Sequence, residues 1–146
     1  MLLFWRDRQY SRHMRKSEGK IIIEPGVRNI LPWEMHSALA LRDAGHVVRF
    51  IPKHGSVYTA DAFVDNIQFE FKSPEGKNIR NIDNNLQKAV RYQSRNVVID
   101  TCRVKNLTEH SIQNYLVSRL KRKRGIKRLL MITRDGRVID IGEFVR

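Results

Sequence analysis

Three features of the chain predict an α/β domain built on a mixed central sheet. Residues 60–72 alternate apolar and polar side chains about Asp65-Asn66, the pattern of a β-hairpin. Three longer stretches, near 32–44, 79–94 and 108–122, carry helix signals: a Pro-to-Gly frame on the first, and apolar residues at helical spacing on the other two. Helices and strands then follow one another as α-β-β-β-α-β-α-β-β, which calls for a sheet with helices packed on it.

Pro32 stands where a first helical position belongs and Gly45 where a helix ends, so Trp33 to Ala44 reads as the first helix. His46 to Ile51 follows as a strand. The hairpin strands cover about 60–64 and 67–73, and Pro74-Glu75-Gly76 forms a loop. In the second helix, Ile79, Ile82, Leu86, Ala89, Val90 and Gln93 share one face. Asn96 to Asp100 is a short apolar strand. Ile112, Tyr115, Leu116 and Leu120 form the stripe of a third helix, Thr108 to Arg122. Arg128 to Thr133 and Arg137 to Ile141 are strands joined by a turn at Asp135-Gly136. Residues 1–20 read as a basic arm, and 21–146 as a single domain without internal repeats.

The 146 residues suit about one domain, and 41% hydrophobic residues suffice for a core. A formal net charge of +13 points to a polyanionic partner, most simply nucleic acid. The single Cys102 excludes an internal disulfide framework. The five His residues lack zinc-ligand spacing. Cys102 follows a strand with no His beside it in the sequence pattern, so it reads as a core or half-buried thiol. No apolar run approaches the roughly 20 residues that span a bilayer. Met1 to Trp5 precedes Arg6, Arg8, Arg12, Arg15 and Lys16, the reverse of a signal peptide's order.

The hairpin carries the chemistry. With Asp65-Asn66 as its loop, Val64 pairs with Ile67, Phe63 with Gln68, Ala62 with Phe69, and Asp61 with Glu70. Ala62, Val64, Ile67, Phe69 and Phe71 then share one face, while Asp61, Glu70 and Lys72 share the other. Like charges opposed across a ladder are destabilising, so two carboxylates there need a divalent cation between them or a cation beside them. Mg²⁺ suits such a pair because it keeps waters for substrate phosphates. Lys72 could orient an attacking water, which completes the equipment for phosphodiester hydrolysis. An ordinary surface hairpin with a Glu–Lys pair is the alternative.

Glu34 lies between Ala38 and Leu41 on an apolar side of the first helix, and an inward carboxylate needs a partner. It is either a third acidic group at a metal site or a first-turn residue complementing the helix dipole. Gln93, polar on an apolar face, should hydrogen-bond either the site or the end of the neighbouring strand. From Arg119 to Arg128, seven of ten residues are basic: Arg119, Lys121, Arg122, Lys123, Arg124, Lys127 and Arg128. They are assigned to phosphate contacts, which supply affinity without sequence information. Scattered aromatics offer no stacking platform for single strands.

The order α-β-β-β-α-β, with Asp61 at the second strand and Glu70-x-Lys72 on the third, resembles the PD-(D/E)XK nuclease superfamily. Glu34 with Ala38, Leu39, Ala40 and Gly45, then Ala60-Asp61, Phe69 to Pro74, Asn84 to Ala89, Gln93 and Asn96 to Asp100, is more closely similar to CdiA C-terminal toxin domains of contact-dependent growth inhibition. The likeness covers roughly residues 30–133. Ala60 replaces the proline of the superfamily's name, and the peptide that usually precedes a CdiA toxin domain is not visible. A stand-alone relative is therefore open beside a C-terminal effector.

The resemblance implies a restriction-endonuclease-like αβββαβ core and a metal-dependent endonuclease, with tRNA favoured over DNA as substrate. Asp61 and Glu70 would ligate Mg²⁺ or Mn²⁺ with help from Glu34, and Lys72 would position the water. The helix at 79–94 would flank the cleft, with Gln93 orienting the site or touching substrate and Asn85 and Lys88 contacting the nucleic acid. A cognate immunity protein is implied, as is action in a bacterial cytoplasm, reached as part of a secreted toxin or otherwise. A non-catalytic basic nucleic-acid-binding domain is the alternative. Such a module has no reason to gather carboxylates where they would repel phosphates.

Overall fold

The structure, a computed structural model, describes residues 18–53, 60–92, 94–122 and 124–145. Gln93, Lys123 and most of the N-terminal arm lie outside the described residues.

Among the described residues, seven strands form one mixed sheet. They are β1 (Lys20–Ile22), β2 (Val47–Phe50), β3 (Ala62–Val64), β4 (Ile67–Lys72), β5 (Asn96–Asp100), β6 (Arg128–Ile132) and β7 (Val138–Asp140). Their spatial order is their chain order. The pairs β1–β2, β4–β5 and β5–β6 are parallel; β2–β3, β3–β4 and β6–β7 are antiparallel. The described helices, α1 (Pro32–Asp43), α2 (Ile79–Arg91) and α3 (Glu109–Lys121), cover the sheet, and a 3₁₀ turn spans Ile141–Phe144.

Each helix has an evident start. Pro32 opens α1, where its missing N–H costs nothing. Asn78 and Thr108 cap α2 and α3, accepting from the N–H groups of Arg80 and Ser111 at 2.7 and 3.0 Å. Helix α1 stops at Gly45, whose φ of +96° suits a residue without a Cβ.

The hairpin has the expected register over three pairs: Val64 with Ile67, Phe63 with Gln68, and Ala62 with Phe69. Asp65 and Asn66 both take positive φ, +50° and +68°, as a two-residue turn with the twist of its strands requires. The fourth expected pair differs. Asp61 precedes β3, outside the ladder, and its carboxylate accepts the N–H of Phe71 at 2.7 Å.

Period-two alternation divides the core. Val98, Leu130 and Ile132 join Phe69 and Phe71 beneath α1, with Ala38 and Leu41. Val97, Ile99, Leu129 and Met131 face the other way and pack on Ile82, Leu86 and Ala89 of α2 and Ile112, Leu116 and Leu120 of α3. Helix α1 thus lies on one face and α2 with α3 on the other. Strand β1 is an addition to the expected elements. It has only three residues, the first falling in the expected arm, and an edge strand this short carries too little alternation to be read.

Candidate functional site

Five charged side chains from four elements meet beside the hairpin. Glu34 comes from the first turn of α1, Lys53 from the segment after β2, Asp61 from the residue before β3, and Glu70 and Lys72 from β4. Glu34, Asp61 and Glu70 are only 3, 6 and 5% exposed, which is rare for carboxylates without partners.

Their partners are specific. The Leu31 N–H donates to Glu34 Oε1 at 3.0 Å, so Glu34 satisfies one of the open donors at the start of α1. Its other oxygen faces the Lys53 ammonium at 3.8 Å. Lys53 Nζ also donates to Asp61 Oδ1 at 3.1 Å. Glu34 thus serves the helix end with one oxygen and faces the Lys53 ammonium with the other. Lys53 was not signalled by the sequence, yet it supplies the cation that paired carboxylates require.

Burial pushes the carboxyls of Glu34 and Glu70 above their ordinary value. For Glu34 the Leu31 hydrogen bond opposes this, and neighbouring Asp61 adds to it. For Glu70, Lys72 and Lys53 oppose it and Glu34 adds to it. Burial works against the Lys53 ammonium, but Asp61, Glu34 and Glu70 outweigh that and hold it above its ordinary value.

An all-oxygen donor set suits a hard divalent cation such as Mg²⁺ or Mn²⁺. Glu34, Asp61 and Glu70 fit that chemistry, since three buried carboxylates face only two lysines. Their ligand atoms do not close into a tight trio; among the described residues only His36, Asp100 and Cys102 do so. The Lys53 ammonium holds the bridging position and would have to yield to a metal.

A second polar group adjoins the first through α1. Asp100, wholly buried at the end of β5, accepts from Ser37 Oγ at 2.8 Å and from the Cys102 N–H at 3.0 Å. It also lies 2.7 Å from His36 Nδ1. The fold thus brings a histidine near Cys102 that sequence spacing did not show. The thiol is nevertheless pushed up to about 11, first by burial and then by Asp100, which favours the protonated form. Arg103 binds the hydroxyl and carbonyl of Ser73, directly after Lys72, and lies 5.9 Å over the Trp33 ring. This fixes the end of β4 to the start of α1.

The remaining expected residues are dispersed. The Asn85 amide donates to the Asn81 carbonyl at 2.7 Å within α2, and Lys88 is exposed on that helix. The basic run divides. Arg128 lies in β6 with its guanidinium 5.6 Å over the Phe69 ring, on the α1 face. Arg119, Arg122 and Arg124 instead line a cavity against α2. Lys127 lines another beside Leu120 and Ile126, and Lys121 is exposed.

The fold is similar to that of a solved structure described as the CdiA-CT/CdiI toxin and immunity complex from Burkholderia pseudomallei, with a TM-score of 0.66 and 19% identity over 83% of this chain and 98% of that one. Comparison with curated proteins finds no match. Residues 58–138, more than half of the chain and including Asp61, Glu70 and Lys72, match the family described as the contact-dependent growth inhibition CdiA C-terminal domain, and the chain belongs to that family.

Proposed function

We propose that this chain is the toxin domain of a contact-dependent growth inhibition system and acts as a metal-dependent nuclease of the PD-(D/E)XK kind, cleaving RNA, with tRNA the favoured substrate. The observation that carries this reading is the burial of Glu34, Asp61 and Glu70 together in a protein of net charge +13. A purely binding surface gains nothing from carboxylates that repel phosphates. The αβββαβ order over residues 32–100 supports the same reading.

Asp61, Glu70 and Glu34 would hold Mg²⁺ or Mn²⁺, which supplies Lewis-acid activation of the phosphate and of an attacking water. Lys72, next to Glu70 on the same face of β4, orients that water and offsets charge on the phosphate. Lys53 neutralises Asp61 and Glu34 before substrate arrives. Phe71 fixes Asp61 through its N–H, and Arg103 fixes the end of β4, so the chain holds the acids and Lys72 in one frame. A cognate immunity protein fits the growth-inhibition reading, and delivery into a target cell places the substrate in a bacterial cytoplasm.

The test is cleavage of total tRNA and of plasmid DNA with Mg²⁺, Mn²⁺ or EDTA. Metal-dependent tRNA cleavage should fall by about 100-fold or more in Asp61→Ala and Lys72→Ala. Cleavage of DNA with the same losses would move the substrate to DNA. Salt-sensitive binding that neither substitution alters, without cleavage of either substrate, would overturn the enzyme reading.

A further inference from the structure

Away from the carboxylate cluster, α2 and the end of α3 with the residues after it border an open cavity of about 400 Å³ lined by Asp83, Gln87, Arg91, Arg119, Arg122 and Arg124. Arg91, Arg122 and Arg124 are exposed, but Arg119 is 94% buried by its neighbours, with a relative exposure of 6%. The Arg119 Nη2 donates to the Arg124 carbonyl at 3.1 Å, whereas its Nη1 is buried with no hydrogen-bond partner. A guanidinium cannot escape such a position by losing its proton.

The acid that lines the same cavity does not answer this need. Asp83 accepts from the Tyr115 hydroxyl on one oxygen and from the Gln87 amide at 2.8 Å on the other. Among the described residues, none of the four arginines forms an ion pair. Four guanidiniums thus line one cavity without an ion pair among the described residues, and Arg119 is held there with one donor unmet. Their planar forks match the oxygens of a phosphate.

We infer that the Arg91–Arg119–Arg122–Arg124 cavity is a phosphate-binding site for the nucleic-acid backbone, separate from the carboxylate cluster and made to hold substrate rather than to react with it. This deepens the nuclease reading and rests on it for the source of the phosphate. It also separates Arg119, Arg122 and Arg124 from Arg128, which stacks on Phe69 across the sheet. Arg91 joins the site although it lies outside the basic run.

The experiment measures binding of fluorescent bulk tRNA across a salt series without Mg²⁺, so that affinity is read apart from cleavage. Arg91→Gln and Arg122→Gln, both exposed positions, keep the test valid should Arg119→Gln fail to fold. Arg28→Gln, exposed elsewhere, controls for the loss of one charge. Each cavity substitution should weaken binding about three- to tenfold and lower the magnitude of the salt slope by about 0.7–0.9, the value for one phosphate contact. Inorganic phosphate should raise the wild-type Tm, and Arg122→Gln should reduce that rise. The inference is overturned by cavity variants that bind tRNA as Arg28→Gln does, even where cleavage proves real. Equally, it survives a chain that cleaves nothing, provided the cavity variants alone lose affinity and slope. Unchanged tRNA binding with weakened capture of an acidic protein partner would assign the arginines to that protein and overturn the phosphate site.

Discussion

The carboxylate of Asp61 is held by the backbone N–H of Phe71 at 2.7 Å, so the acid before β3 is fixed to the one residue that separates Glu70 from Lys72. Any shift of β4 therefore moves all three groups together. Asp61→Ala should leave the Phe71 N–H buried without an acceptor and lower stability by about 1–3 kcal/mol. Asp61→Asn keeps an acceptor and should lose little stability, while both variants lose cleavage. Urea denaturation beside a cleavage assay separates the two effects.

The buried acids set the sign of the pH response. Glu34 and Glu70 have folded-state pKa values raised above the ordinary 4.5. Between the ordinary and the raised value the folded chain binds more protons than the unfolded one. Their contribution is then fully present below about pH 4.5 and is lost as pH rises through the folded value. Glu70→Gln should accordingly stabilise the protein at pH 7, with the advantage disappearing near pH 4. Thermal melts at both pH values check this; a Glu70→Gln protein less stable at pH 7 would contradict it.

Divalent cations should reverse that penalty. If the three carboxylates hold Mn²⁺ or Mg²⁺, the cation stabilises the fold, by about 2.7 kcal/mol at 100 times its dissociation constant. The rise in Tm should vanish in Asp61→Asn/Glu70→Gln. It should be larger in Lys53→Met than in the wild type, because the competing ammonium is gone. Equal shifts in all proteins would place the metal elsewhere.

Cys102 should behave as an inert thiol. With its titration pushed up to about 11 by burial and Asp100, alkylation at pH 8 should be slow compared with a free thiol. Cys102→Ser should retain cleavage within about twofold. Rapid labelling of the folded protein would show that His36 and Asp100 activate the thiol instead.

The hairpin was legible because its information is local. Alternation and a two-residue turn specify Ala62 opposite Phe69 without help from the rest of the chain. The apolar stripes of α2 and α3 and the Pro32-to-Gly45 frame of α1 were legible for the same reason. What escaped the sequence depends on distant segments. Lys53 carries no motif, and its role appears only once β2 ends beside Asp61. His36 and Asp100 are 64 residues apart and meet only because α1 packs over the end of β5. The basic run reads as one patch in sequence, but β6 begins at Arg128, and strand alternation turns that residue to the α1 face. Arg119, Arg122 and Arg124 follow α3 to the opposite face. The cluster of Asp61, Glu70 and Glu34 was expected; the lysine between two of its members was not.

The sheet whose spatial order repeats its chain order has a kinetic consequence. Every strand pairs only with its neighbours in the chain, so no pairing waits for a later part of the chain to return across the molecule. Loop closure is kept as short as the connecting helices allow, which favours rapid folding for a sheet of this size. Assembly can begin at the Asp65-Asn66 turn, the shortest closure in the sheet, and spread outward in both directions. A chain that starts refolding at that turn would bring Asp61, Glu70 and Lys72 together first, with Glu34 and Lys53 joining as α1 and the end of β2 dock.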